Sequence, residues 1–124
     1  LGRAAVTAGR EIEALVQVSL DGEPGASTAR RGVPAHAALA LAARVEATTG
    51  LTLAGVMAVS PVGVEPGPGF ARLAEVSSQV KTTFPDARVI SAGMSGDLEA
   101  AIGAGATHVR VGTALLGGRP GFVR

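Results

Sequence analysis

The chain has 124 residues, 47% of them hydrophobic and 17% charged, and a net charge of +1. That balance suits a single small domain with a buried core and excludes a disordered chain. The weak, scattered positive charge argues against a nucleic-acid surface, and the lack of cysteine excludes disulfides and thiolate metal sites.

Leu1–Gly9 is Ala-rich and reads as the tail of a helix already under way, with Gly9 as its stop. Ala14–Leu20 is a short β-branched run, predicted as a strand, and Asp21–Gly25 is turn chemistry opening a loop that runs to Gly32. Pro34 suits the first turn of a helix. Ala38, Leu41, Ala42 and Val45 share that helix's apolar face, and Gly50 closes it. Leu53–Val59 is nearly continuous apolar sequence, as in a strand covered on both faces. Pro61 and the run Gly63–Gly69 are predicted to end it as loop. Phe70, Leu73, Val76, Val80 and Phe84 mark the stripe of the next helix, and Pro85-Asp86 turn the chain out of it.

Arg88–Ala92 is predicted as a third strand. Ser95 is placed to cap the following helix, with Asp97 and Glu99 in its first turn, where the helix dipole favours acids. Leu98, Ala101 and Ile102 should face inward, and Gly105 ends the helix. His108–Val111 is predicted as a fourth strand, followed by a short helix at Thr113–Leu116 that Gly117-Gly118 stop.

Strands alternating with helices specify an α/β fold with a parallel sheet. Four such units are half of a (β/α)8 TIM barrel, which typically takes about 250 residues. Residues 1–124 are therefore expected to be the C-terminal half of a single barrel domain. A small open sheet is the other architecture four strands allow. The aromatic content of 2% suits a core of small aliphatics and not a base-stacking surface. No apolar run approaches the roughly 18 residues of a membrane span and no leader is recognisable, so no membrane partner and a cytoplasmic location are expected.

In a parallel barrel the chemistry lies at the C-terminal strand ends. Two of these, Gly93–Gly96 and Gly112–Ala114, are glycine-bearing turns leading from a strand into a helix. Glycine admits close backbone approach, and a helix start offers unpaired N–H groups and the positive end of a dipole. Ser95 and Thr113 add hydroxyls. One βα repeat separates the turns, so they should lie side by side, about 4.8 Å apart by strand spacing, and share one phosphate. Taken singly, such turns are more often only tight turns. Arg110, two residues before Gly112, is either an outward arginine paired with a helix or one aimed at a ligand ring. In the second case it would donate to a pyridine nitrogen, keep it unprotonated and weaken the ring as an electron sink. His108 and Met57 read as structural, His36 as solvated. Lys81, the sole lysine, lies in the polar register of its helix and is a poor pocket residue.

The stretch Ser91–Ile102, with Gly105-Ala106-Thr107 and Val109–Gly117, resembles the pyridoxal phosphate homeostasis proteins, the YggS/PROSC family, whose fold is similar to the N-terminal barrel of alanine racemase. Leu15–Val18 and Gly55–Ala58 carry weaker similarity. The resemblance spans nearly the whole chain but matches only the C-terminal half of the family's sequence. It implies a pyridoxal 5′-phosphate (PLP) binding protein of intracellular vitamin B6 homeostasis, a cofactor carrier or regulator more than an enzyme. By resemblance, Ser95 with the Met94 backbone, and Gly112 with Thr113, would hold the phosphate, while Arg110 would face the pyridine nitrogen. The family's cofactor-bonding lysine ends an early strand outside the matched half, and nothing here replaces it. No catalytic and no metal-binding residue is assigned.

Two other readings remain at this point: a PLP-dependent racemase-like enzyme, and a phosphosugar-binding barrel enzyme using the same anion cradle. The intact parent is expected to be monomeric. A half-barrel by itself exposes strand edges and is expected to associate with a second copy or with the missing half.

Overall fold

β-Branched and aliphatic runs punctuated by Gly and Pro set the element order. The computed structural model describes residues 1–21 and 32–117. The elements are α1 (Gly2–Thr7), β1 (Ile12–Gln17), a 3-10 turn (Ala35–Ala37), α2 (Ala38–Glu46), β2 (Leu51–Met57), α3 (Pro66–Thr83), β3 (Val89–Ser91), α4 (Leu98–Gly103) and α5 (Thr113–Leu116). Residues 22–25 of the expected turn, the rest of its loop to residue 31, and the Gly118 stop lie outside the described residues.

The sheet is parallel with the order β1-β2-β3. Val16 pairs with Val56, and Val56 in turn with Ile90. Helices α2 and α3 pack on one face, α2 over β1 and β2 and α3 over β2 and β3, and α4 packs against α3. Alternation along the strands puts Val16, Val18, Val56, Ala58, Ile90 and Ala92 beneath these helices. Phe70, Leu73, Val76 and Val80 meet them from α3, as the stripe in the sequence requires. Each fully buried valine, leucine or phenylalanine here contributes about 1.5–3 kcal/mol relative to exposure. Leu15, Gln17, Met57 and Val89, on the alternate positions, are half-buried. The result is a partial barrel: parallel strands with α2 and α3 packed on one side.

Three expectations need correction. Among the described residues the sheet has three strands, not four. His108 joins it through a single parallel bridge to Ser91. The His108 N–H donates to the Ile90 carbonyl, and the Ala92 N–H donates to the His108 carbonyl. The Arg110 N–H then donates to Gly93 where a regular ladder would use residue 92. That one-residue slip at Gly93 ends the regular pairing. Thr107 closes the other end with its side chain: the Ile90 N–H donates to its hydroxyl at 2.8 Å.

Second, Pro66–Gly69 belong to α3 and not to the loop. The first helical turn has no intrahelical use for its N–H groups, so Pro66 and Pro68 cost nothing there. Third, Ile102 does not face inward and is 55% exposed. Ala101 is the buried residue of α4, and the next position turns about 100° away from it.

One feature was not expected at all. The register of β1 against β2 shifts between Ala14 and Leu15, opposite Gly55. Gly55 has φ +154 and lies so close to the Val89 backbone that a Cβ would collide with it. The far edge of β1 is also engaged, by Val33, which bridges Val18.

Candidate functional site

The strand ends carry the polar groups, and pairing within the sheet decides which of them are neighbours. The Arg110 N–H to Gly93 carbonyl bond, 2.9 Å, ties the turn after β3 to the segment leading into α5. The turn Gly93–Asp97 and the turn Gly112–Thr113 therefore leave adjacent strand ends, as their spacing of one βα repeat implies.

The first turn is shaped by Gly93. Its φ is +94, and a Cβ would stand 2.6 Å from the Ala101 Cβ and 3.3 Å from the Leu98 Cα. Only glycine satisfies both the left-handed backbone and the contact with α4. Ser95 lies within this turn and is half-buried. It is not the helix cap: α4 starts at Leu98, and Asp97 stands at the N-cap position. The Met94 N–H donates to Asp97 Oδ1 at 2.7 Å, and the Asp97 N–H donates to the Met94 carbonyl at 3.2 Å.

At the second turn Gly112 is the N-cap of α5, and its carbonyl accepts from the Leu116 N–H at 2.7 Å. Gly112 and Thr113 are exposed. The first amides of any helix have no acceptor within it, so this start presents donors outward.

Arg110 is half-buried and points across the sheet, not outward to a helix. Its Nη2 donates to the Ala58 carbonyl at the end of β2, 2.8 Å away. Its Nε is buried without a hydrogen-bond partner among the described residues. A buried guanidinium N–H left unmade is costly, and the described residues supply no acceptor for this atom. Arg72 makes a comparable contact, donating to the Leu20 carbonyl three residues beyond β1.

Other residues take bland roles. His108 is exposed, with Nδ1 2.8 Å from the Thr107 hydroxyl. His36 is exposed on the 3-10 turn, and Lys81 lies in the last turn of α3. No group of His, Asp or Glu among the described residues is arranged to hold a metal ion. No helix among them is long and apolar enough to cross a membrane. Sequence reading missed the Asp97 bond to Met94, the Thr107 plug on Ile90 and the use of the Ala58 carbonyl. The first had a signal: an acid three residues after Met94 has capping-box spacing.

Known proteins resemble this chain in sequence and in fold. The sequence pattern of the family described as alanine racemase, N-terminal domain, matches residues 1–120. The pyridoxal phosphate homeostasis protein of Mycobacterium bovis is 42% identical over 111 residues, covering 90% of this chain and 43% of that protein. Its namesake in Corynebacterium glutamicum is 43% identical over 110 residues, covering 89% and 48%. Among solved structures, PipY of Synechococcus elongatus, determined with PLP bound, superposes with a TM-score of 0.80 at 27% identity, over 94% of this chain and 54% of that one. An unknown protein from Bifidobacterium adolescentis gives 0.82 at 30% identity, over 93% and 47%. The chain spans about half the length of the curated relatives it matches. With the family pattern running over residues 1–120 and a partial barrel to match, the chain belongs to the alanine racemase N-terminal domain family.

Proposed function

We propose that this chain forms the phosphate and ring-nitrogen side of a PLP site in a protein of vitamin B6 homeostasis. The observation that carries the reading is the Arg110 guanidinium. Anchored by one arm on the Ala58 carbonyl, it holds a buried Nε with no acceptor among the described residues, beside two strand-end turns. A pyridine nitrogen is such an acceptor, and a phosphoryl group suits the turns, so the residues present fit the cofactor. The names of the curated relatives, and PLP in the similar structure of PipY, favour PLP over a sugar phosphate.

PLP, when bound, supplies an aldehyde for bonding an amine and a ring that withdraws electrons. In this reading the turn Met94–Gly96, with the Ser95 hydroxyl, and the Gly112–Thr113 start of α5 hold the phosphate. Arg110 donates to the ring nitrogen and orients the ring. An arginine at that position keeps the nitrogen unprotonated, which weakens electron withdrawal and suits a carrier more than a catalyst. The sheet face opposite the helices, where Leu15 and Met57 are half-buried, is the face that the remainder of a barrel covers.

The test is titration of the natural full-length polypeptide with PLP and with pyridoxal, which lacks the phosphate, followed by fluorescence quenching. Tight PLP binding with much weaker pyridoxal binding supports the reading. No PLP binding, or equal affinity for both, refutes it.

A further inference from the structure

In a parallel ladder, alternate residues of a strand bond to the neighbour on either side. Just past β2 the Ala58 N–H donates to the Ser91 carbonyl at 3.1 Å. The next rung in that order is the Gly93 N–H on the Ala58 carbonyl. That carbonyl accepts instead from Arg110 Nη2 at 2.8 Å. On the other side of β3, the Ala92 N–H donates to the His108 carbonyl at 3.0 Å, and the Gly93 carbonyl accepts from the Arg110 N–H at 2.9 Å. The Gly93 N–H is left with no acceptor among the described residues.

A glycine is all backbone, so the burial of Gly93 is the burial of its peptide groups. Buried N–H groups in folded proteins are nearly always paired, and an unpaired one is costly. Gly93 has little freedom to relieve this, because its φ of +94 and its contact with Ala101 fix the residue. A second donor of the same kind stands beside it. Arg110 Nε is buried with no partner among the described residues, and it belongs to the guanidinium whose Nη2 holds Ala58. Two unpaired donors, one backbone and one cationic, thus flank a single strand-end carbonyl.

From this geometry we infer that the Gly93 N–H is a ligand-binding donor of the site, and that it takes an oxygen of the bound cofactor. The inference rests on reading the site as one for PLP. In that reading Arg110 Nε takes the ring nitrogen, which has one lone pair, so the Gly93 amide requires another acceptor. The phosphoryl group and the ring hydroxyl both carry one, and the neighbouring positive charge favours an anionic oxygen. Neither composition nor the resemblance assigns this role to Gly93.

The test leaves the natural full-length polypeptide unmutated, since a Cβ at Gly93 would stand 2.6 Å from the Ala101 Cβ. The Gly93 amide is followed by NMR in protein labelled with nitrogen-15, free and saturated in turn with PLP, inorganic phosphate and pyridoxal. With PLP its proton should move downfield and exchange about tenfold more slowly. The Ala92 amide, already paired with His108, should change by less than about twofold. Inorganic phosphate reproducing the Gly93 response assigns a phosphoryl oxygen. Pyridoxal reproducing it, with phosphate silent, assigns the ring hydroxyl.

Bound PLP with an unchanged Gly93 amide overturns the inference and leaves the PLP reading standing. Equal slowing at Ala92 and Gly93 also overturns it, by showing a general tightening of the sheet. So does a response to PLP that neither saturating fragment reproduces, because the contact would then be to neither oxygen. A wild-type protein that binds none of the three ligands overturns the PLP reading and this inference together.

Discussion

Arg110 and Ala58 are joined across the top of the sheet: the guanidinium Nη2 donates to the Ala58 carbonyl at 2.8 Å, over the end of the intervening strand β3. This bond fixes where the second arm of the guanidinium points. Replacing Arg110 with Met keeps much of the aliphatic stem and removes every donor. Arg110→Met should lower stability by about 1–2 kcal/mol, because the Ala58 carbonyl loses its partner. It should also weaken PLP binding by about tenfold, since the ring nitrogen loses its donor. Urea unfolding and ligand titration read the two effects separately.

Gly93 sits at φ +94 with the Ala101 Cβ in the space a side chain would take. Gly93→Ala should cost about 2–4 kcal/mol through backbone strain and overpacking together. The double variant Gly93→Ala, Ala101→Gly relieves the contact but not the torsion, so it should recover only part of the loss in urea unfolding.

Thr107 supplies the acceptor for the Ile90 N–H. Thr107→Val preserves shape and removes the oxygen, so stability should fall by about 1–3 kcal/mol. Faster amide exchange at Ile90 in the variant would identify the cause. Unchanged exchange there would contradict it.

Ser95 and Thr113 come from different turns of the proposed cradle. Ser95→Ala and Thr113→Val should each weaken PLP binding by roughly fivefold to tenfold and leave pyridoxal binding unchanged. Titration with both ligands checks this. A loss that is equal for the two ligands would remove these hydroxyls from the phosphate site.

The sequence made the larger features legible because each had a period or a punctuation mark. The stripe Phe70, Leu73, Val76, Val80 is buried in α3 as its spacing implies. Gly9 and Gly105 stop their helices at positive φ. The strand-end glycine turns were visible as composition, and their adjacency followed from chain order. What escaped was set by backbone geometry between elements. Gly55 inside an apolar run is the one residue signal for a bulge or close backbone approach, but where the register shifts depends on how two strands meet. The fourth strand reads as β-branched sequence, but the slip at Gly93 leaves it one regular bridge. Pro66-Gly67-Pro68-Gly69 looks like loop by composition, since first-turn prolines and loop prolines share one alphabet. Asp97 was assigned to the helix dipole, whereas its carboxylate serves the turn behind it.

A crystal structure of the natural full-length polypeptide with PLP tests the cradle most directly. The account predicts phosphoryl oxygens within about 3 Å of donors from both the Met94–Asp97 turn and the Gly112–Thr113 turn, with Arg110 Nε facing the ring nitrogen. A phosphoryl group bound elsewhere, or touching one turn alone, would contradict it.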